Sequence, residues 1–266
     1  MKINNRLKNV ANFVLKDSNV IDVGCDHALL CIYLASNYPN MRLIASDVRE
    51  GPLKQAKANI EKYGLEDRIT LKLGDGIATI DNDTNVIVIS GMGGITIANI
   101  ITKNKEKLDK IDQIVVSPNN DFYAVRSEIT KLGFIIDREE VIKERDKFYL
   151  IISFVKGKKK YKKRELYFGS KCILYDKTLR EYYKGQFLLL FNKYSRLPDK
   201  RIFAKHKIKV KIDMLADDID MLDKKQIREE RKIKREAKRL ERIEKRQAKR
   251  EKKKLKKSKY DVNPNR

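Results

Sequence analysis

The sequence predicts an α/β protein: a doubly wound, mostly parallel sheet closed by a terminal antiparallel hairpin, followed by a helical C-terminal part. Three observations predict it. Five short β-branched runs alternate with helical patterns through the first 155 residues, as repeated βα units do. Two longer strand-like runs come next, with no room for a helix between them. Past residue 156 the strand pattern stops, and lysine and arginine dominate.

The runs 19–23, 42–46, 69–73, 86–90 and 113–117 are apolar on successive residues, as strands covered on both faces are. Helical patterns occupy 29–37, 52–63, 94–104 and 122–132. Pro52 suits a first helical turn, where its missing N–H costs nothing. Gly64 suits a helix end, where positive φ is tolerated. The runs 134–143 and 148–155 flank a charged turn at 144–147. They pair as an antiparallel hairpin at the sheet edge.

KGKKKYKKRE begins at residue 156 and reads as a basic linker. Residues 165–222 read as helical. Apolar residues recur at Ile173, Leu174, Leu179, Tyr182, Tyr183, Phe187, Leu190 and Phe191, until Leu197-Pro198 interrupts. Ile208, Ile212, Leu215, Ile219 and Leu222 then recur at helical spacing, so an αα-hairpin or coiled coil is expected. Residues 223–259 hold helix formers with few apolar anchors, a marginal helix or a disordered segment in isolation. DVNPNR reads as a frayed end. The expected division is 1–156, 157–222 and a basic tail, 223–266.

The chain carries 61 Lys and Arg against 37 Asp and Glu, a net charge of +24. That points to a polyanionic partner, nucleic acid ahead of an anionic membrane surface. Between Lys224 and Lys259 there are 20 basic residues against 6 glutamates, so the remainder still holds about +10. The three cysteines, Cys25, Cys31 and Cys172, form no CxxC pair. Their number and spacing argue against a disulfide framework or zinc site and for a reducing, cytoplasmic setting. The N-terminus has no continuous apolar segment, and no run approaches the ~18 apolar residues of a membrane span. A monomer is favoured.

In doubly wound sheets ligands bind beyond the carboxyl ends of the strands. The residues there are Asp22-Val23-Gly24-Cys25-Asp26-His27, then Asp47-Val48, Gly74-Asp75-Gly76, Gly91-Met92-Gly93-Gly94 and Pro118-Asn119-Asn120. Gly24 allows close backbone approach. Asp47 can accept from a ribose diol, and Asp75 from an adenine amino group. The first loop lacks the G-x-G-x-x-G of a dinucleotide site and carries two aspartates instead. Carboxylates repel pyrophosphate but suit an ammonium and a sulfonium. S-adenosylmethionine has both, with an adenosine; no metal is expected.

DVGCDHA, SDVREGPLKQAKANI, GDGIATI, ISGMGGITIANII and VSPNND resemble the successive motifs of the bacterial tRNA (adenine-N1)-methyltransferases that modify adenine 22, the TrmK family. The resemblance covers roughly residues 5–155 and continues more weakly, through YFGSKCIL, to about 222. It implies a Rossmann-like class I methyltransferase domain with a C-terminal helical hairpin. It also implies S-adenosylmethionine as donor and adenine N1 of tRNA as acceptor. The tail beyond ~223 lies outside the family pattern. The expected cofactor residues are Asp22, Gly24, Cys25, Asp47, Val48, Gly74, Asp75, Gly76, Gly91 and Met92. Asp26 is expected near the transferred methyl, with His27 beside it. Gly93, Gly94, Pro118 and Asn119 are expected to shape the base pocket. The missing Asn-Pro-Pro-Tyr speaks against methylation of an exocyclic amino group.

Plainer readings stand beside these. His27 caps the next helix or bonds within the pocket. Tyr182 to Phe191 are core contacts ahead of base-stacking platforms. The tail is a solvated charge run unless it meets RNA backbone. The alternatives at the level of function are methylation of another RNA or DNA adenine, and a methyltransferase-like protein that only binds RNA.

Overall fold

The computed structural model describes residues 3–170 and 173–260. Cys172 and the expected frayed end lie outside the described residues. The chain begins with a helix that the sequence reading did not include, α1 (Asn5–Phe13). The Asn4 side chain accepts from Leu7 N at 2.8 Å, and Val10, Ala11 and Phe13 are buried. That bond satisfies one of the orphan donors at the helix start.

The βα alternation comes next: β1 (Asn19–Val23), α2 (Leu29–Asn37), β2 (Arg42–Asp47), α3 (Glu50–Lys62), β3 (Ile69–Leu73), β4 (Val86–Ser90), α4 (Gly94–Lys103), β5 (Gln113–Ser117) and α5 (Phe122–Lys131). The hairpin β6 (Phe134–Glu144) and β7 (Lys147–Lys156) ends the sheet. The strand order is β3-β2-β1-β4-β5-β7-β6. β1 to β5 pair in parallel, while β7 runs antiparallel to both β5 and β6. This is the expected fold. Ile21, Ile87, Ile89 and Ile114 are fully buried in the central strands, which is why those runs are apolar without alternation.

A buried ion pair ties the sheet edge to the chain just beyond β7. Arg126 of α5 donates from Nε to Glu139 of β6 at 2.5 Å, and both side chains are buried. The guanidinium also donates to the carbonyls of Leu166 and Tyr167, at 3.1 and 3.2 Å. The second Glu139 oxygen accepts from Ser170 N at 2.7 Å. Such a pair is tolerable because its remaining donors and acceptors are satisfied.

Beyond the sheet lie α6 (Lys163–Phe168), α7 (Lys177–Arg196) and α8 (Ile202–Tyr260). The continuous helical reading of 165–222 is corrected between α6 and α7. Gly169 takes φ +116°, Ile173 bridges to Glu139, and Leu174 N donates to Glu139 O at 2.9 Å. Ile173 and Leu174 are therefore extended, held to β6 by backbone bonds. Tyr182 and Tyr183 are packed as expected. Tyr182 lies against Phe122 and Phe148, and the Tyr183 hydroxyl donates to the Phe168 carbonyl.

The chain divides into two compact units, Met1–Leu215 and Ala216–Arg266. In the second, Lys224 Nζ donates to Asp220 one turn earlier at 2.6 Å. Among the described residues no helix is long and apolar enough to cross a membrane.

Candidate active site

Between β1 and β4 the strand order reverses, and a crevice opens beyond the carboxyl ends of the strands there. It is a cavity of about 720 Å³, within the range of roughly 300–1,000 Å³ for small-molecule sites. The loop after β1 forms one wall. Gly24 N and Cys25 N both donate to Ser46 O, at 2.8 and 3.0 Å, which folds the loop back onto β2. Gly24 has φ +72°, and a Cβ there would strike the Met92 side chain. Asp26 and Ala28 also take positive φ, 51° and 55°, a strained state for residues with a side chain. Ala28 is the N-cap of α2, without a side-chain bond, so His27 does not cap that helix.

Two carboxylates are buried in this wall. Asp22 is 4 % exposed, and the Cys31 thiol donates to it, with Sγ 3.9 Å from Oδ2. Burial pushes the Asp22 carboxyl up to about 7; the Cys31 bond and the positive charge of Arg6 pull against this, and Asp47 adds to it. Asp47 is 5 % exposed and accepts from Arg49 N at 3.0 Å through Oδ1. Burial and the neighbouring carboxylates push the thiols of Cys25 and Cys31 upward, so neither is an activated nucleophile.

The other acids are open to solvent. Asp26 Oδ2 lies 3.4 Å from His27 Nε2. Asp75 accepts from Lys103 Nζ at 2.8 Å, and that pairing holds the Lys103 ammonium above its ordinary range.

All ten residues expected to hold a cofactor line this cavity, and Asp26 and His27 line it too. Gly93, Gly94 and Pro118 are not in its lining, and Asn119 belongs to a second cavity. Gly94 opens α4, where a Cβ would lie 2.5 Å from the carbonyl oxygens of Asn120 and Asp121. Asn119 N donates to Met92 O at 2.9 Å and Nδ2 to Gly91 O at 2.6 Å, which fixes the loop after β4.

The sequence reading missed Asn4, Arg6, Leu7, Ser90 and Thr96 in the lining. Arg6 carries no local signal, because it reaches the site only once α1 has folded. Ser90 and Ser117 are register partners across β4 and β5. Their hydroxyls are buried without a hydrogen-bond partner among the described residues.

The residues present fit an S-adenosylmethionine-like ligand. Asp22 is a buried carboxylate that among the described residues has no cation in contact, only the more distant charge of Arg6, a state that a cationic ligand relieves. Asp47 presents acceptors at the end of β2, where a ribose diol would sit. Among the described residues no group of three or more His, Cys, Asp or Glu could hold a metal ion.

A family profile described as "Methyltransferase domain" matches residues 3–152. The tRNA (adenine(22)-N(1))-methyltransferase of Bacillus subtilis is 31% identical over 153 residues, which are 57% of this chain and 64% of that protein. The chain thus spans just under two thirds of that relative's length in the aligned region. A Streptococcus pneumoniae crystal structure, of a candidate tRNA (m1A22) methyltransferase, is 30% identical with a TM-score of 0.76 and covers 82% of this chain and 100% of that one. The TrmK of M. capricolum, solved with the cofactor product S-adenosyl-homocysteine, is 26% identical with a TM-score of 0.75 and covers 84% of this chain and 100% of that one.

Proposed function

The chain belongs to the methyltransferase-domain family, among the TrmK-like tRNA (m1A22) methyltransferases, and from that premise we propose that it transfers a methyl group from S-adenosylmethionine to N1 of adenine 22 in tRNA. The observation that carries the proposal is the buried Asp22, which among the described residues has no ion-pair partner in contact, near Asp47 in a strand-end cavity.

The chemistry asks for positioning. S-adenosylmethionine supplies an electrophilic methyl on a cationic sulfur; as the adenine N1 lone pair bonds to carbon, the carbon–sulfur pair stays on sulfur and the ring takes the positive charge. Asp22 offers a counter-charge for the donor's cationic end. Asp47 accepts from the ribose hydroxyls. Asp75 accepts from the adenine amino group once it leaves Lys103. Gly24, Cys25, Val48, Gly74, Gly76, Gly91 and Met92 form the walls. Asp26 places a carboxylate on the open side of the cavity, where it stabilises the developing ring charge, and His27 sets its orientation. Gly93, Gly94, Pro118 and Asn119 shape the acceptor side. In the same reading residues 1–156 are the methyltransferase domain, 157–222 a helical hairpin, and 223–266 a basic tail that attracts tRNA backbone.

Mass spectrometry of tRNA nucleosides, before and after incubation with protein and S-adenosylmethionine, tests the proposal. A gain of 1-methyladenosine that disappears when adenine 22 is replaced supports it. Methylation at another atom or position, or none, refutes it.

A further inference from the structure

A second cavity of about 520 Å³ adjoins the first. Asn4 and Arg6 line both. The two also meet through one hydrogen bond, because Asn119 lines the second and its Nδ2 donates to Gly91, which lines the first, at 2.6 Å. Phe148 and Tyr149 give the second cavity an aromatic wall.

Among the described residues its cations form no hydrogen bond or contact ion pair. Arg6 lies 5.2 Å above the Tyr149 ring, and its charge acts on Asp22 from a distance, yet among the described residues no hydrogen-bond acceptor or carboxylate is in contact with its guanidinium. Lys147, exposed at the first position of β7, also has no partner there. The one carboxylate in the lining, Glu144, is engaged: Oε1 accepts from Asn5 N at 2.8 Å. The Asn119 amide oxygen has no partner among the described residues, while its nitrogen is held by Gly91.

We propose that this second cavity is the acceptor-nucleotide site, with Arg6 and Lys147 on the 5′-phosphate of the target nucleotide and the Asn119 amide oxygen facing the base edge. This rests on the tRNA methyltransferase reading and adds to it the residues that seat the acceptor. A guanidinium and an ammonium lining one cavity, neither in a contact ion pair among the described residues, match a phosphate. An aromatic wall and a free acceptor match a base with an exocyclic amino group. The Asn119–Gly91 bond puts that base edge next to the donor cavity.

The test titrates S-adenosylhomocysteine-saturated protein with adenosine 5′-monophosphate and with adenosine, followed by NMR. Charge-assisted contacts to phosphate should make the wild type prefer the monophosphate about tenfold or more. Lys147→Ala and Arg6→Gln should each erase most of that preference. Lys147 is an exposed residue at a hairpin turn, so its variant keeps the fold; unchanged S-adenosylhomocysteine affinity checks this. Equal affinity for the two ligands in the wild type, no binding of either, or a preference that survives both substitutions overturns the inference. The reaction itself is judged by 1-methyladenosine in tRNA. A phosphate preference without methylation would therefore sink the functional reading and leave the nucleotide site standing.

Discussion

The strand-end cavity and the C-terminal tail handle charge in opposite ways. The cavity gathers Asp22, Asp26, Asp47 and Asp75 in a chain whose net charge is +24. The tail, between Lys224 and Lys259, gathers 20 basic residues and 6 glutamates. A buried carboxylate is costly until a ligand relieves it, so each one selects strongly. A solvated lysine costs almost nothing and selects almost nothing, and many together attract any polyanion through counterion release. The overall charge of this protein therefore describes its macromolecular partner, while two buried acids of the opposite sign describe its small ligand.

Cofactor affinity separates the two regions, and Asp47→Ala should change it most. Removing the acceptor for two ribose hydroxyls costs about 1.5–3 kcal/mol, a tenfold to hundredfold loss in a calorimetric titration. An unchanged affinity in a folded variant would remove Asp47 from the site.

Asp22 sharpens the comparison through pH. Its carboxyl titrates near 3.8 unfolded and is raised to about 7 by burial in the folded protein. Between those values the folded state holds the extra proton. Without cofactor, this group's contribution to stability therefore falls as pH rises through that window and levels off above about 7. A cationic ligand needs the ionised form. S-adenosylmethionine affinity should then rise with pH, by about tenfold per unit below pH 7, and level off above it. Asp22→Asn should flatten this profile. A wild-type profile already flat from pH 5 to 8 would show that Asp22 does not face the cationic end of the ligand.

Asp26→Ala should change cofactor affinity less and turnover more, because its carboxylate is exposed at the cavity mouth. Single-turnover methyl transfer should slow by about tenfold, the scale of one charge-assisted contact. Equal losses in binding and rate would make Asp26 a cofactor ligand only.

The acids were legible in the sequence because each lies within three residues of the carboxyl end of an apolar strand run, and the topology of a parallel sheet sends all such positions to one edge. The same logic placed β1 to β5 and their helices to within a few residues. α1 was not legible. Only three of its nine residues are buried, too few for a helical stripe, and Arg6 gains its place from contacts far away in sequence. Nothing local in the sequence reveals that Arg126 and Glu139 neutralise each other inside the fold. Ile173 and Leu174 fall within the helical pattern of 165–222, because two adjacent apolar residues carry no period of their own. Only the backbone bonds to Glu139 decide their conformation.

Deleting residues 223–266 should have the smallest effect on the cavity. None of its lining residues lies beyond Ile100, so S-adenosylmethionine affinity should equal that of the full chain. The tRNA behaves differently, because each neutralised phosphate contributes about −0.7 to −0.9 to the log–log slope of affinity against salt. If four tail residues touch phosphate, truncation should reduce the slope by about 3. Discrimination between adenine 22 and other adenines should survive, since phosphate contacts orient the RNA without reading its sequence. The measurement is tRNA affinity for both proteins across a salt series, alongside one cofactor titration each. Identical slopes would make the tail a solvated charge run and leave the RNA to the remaining charge of about +10. A loss of cofactor affinity on truncation would break the comparison, because the two regions would then be coupled despite their separation in sequence.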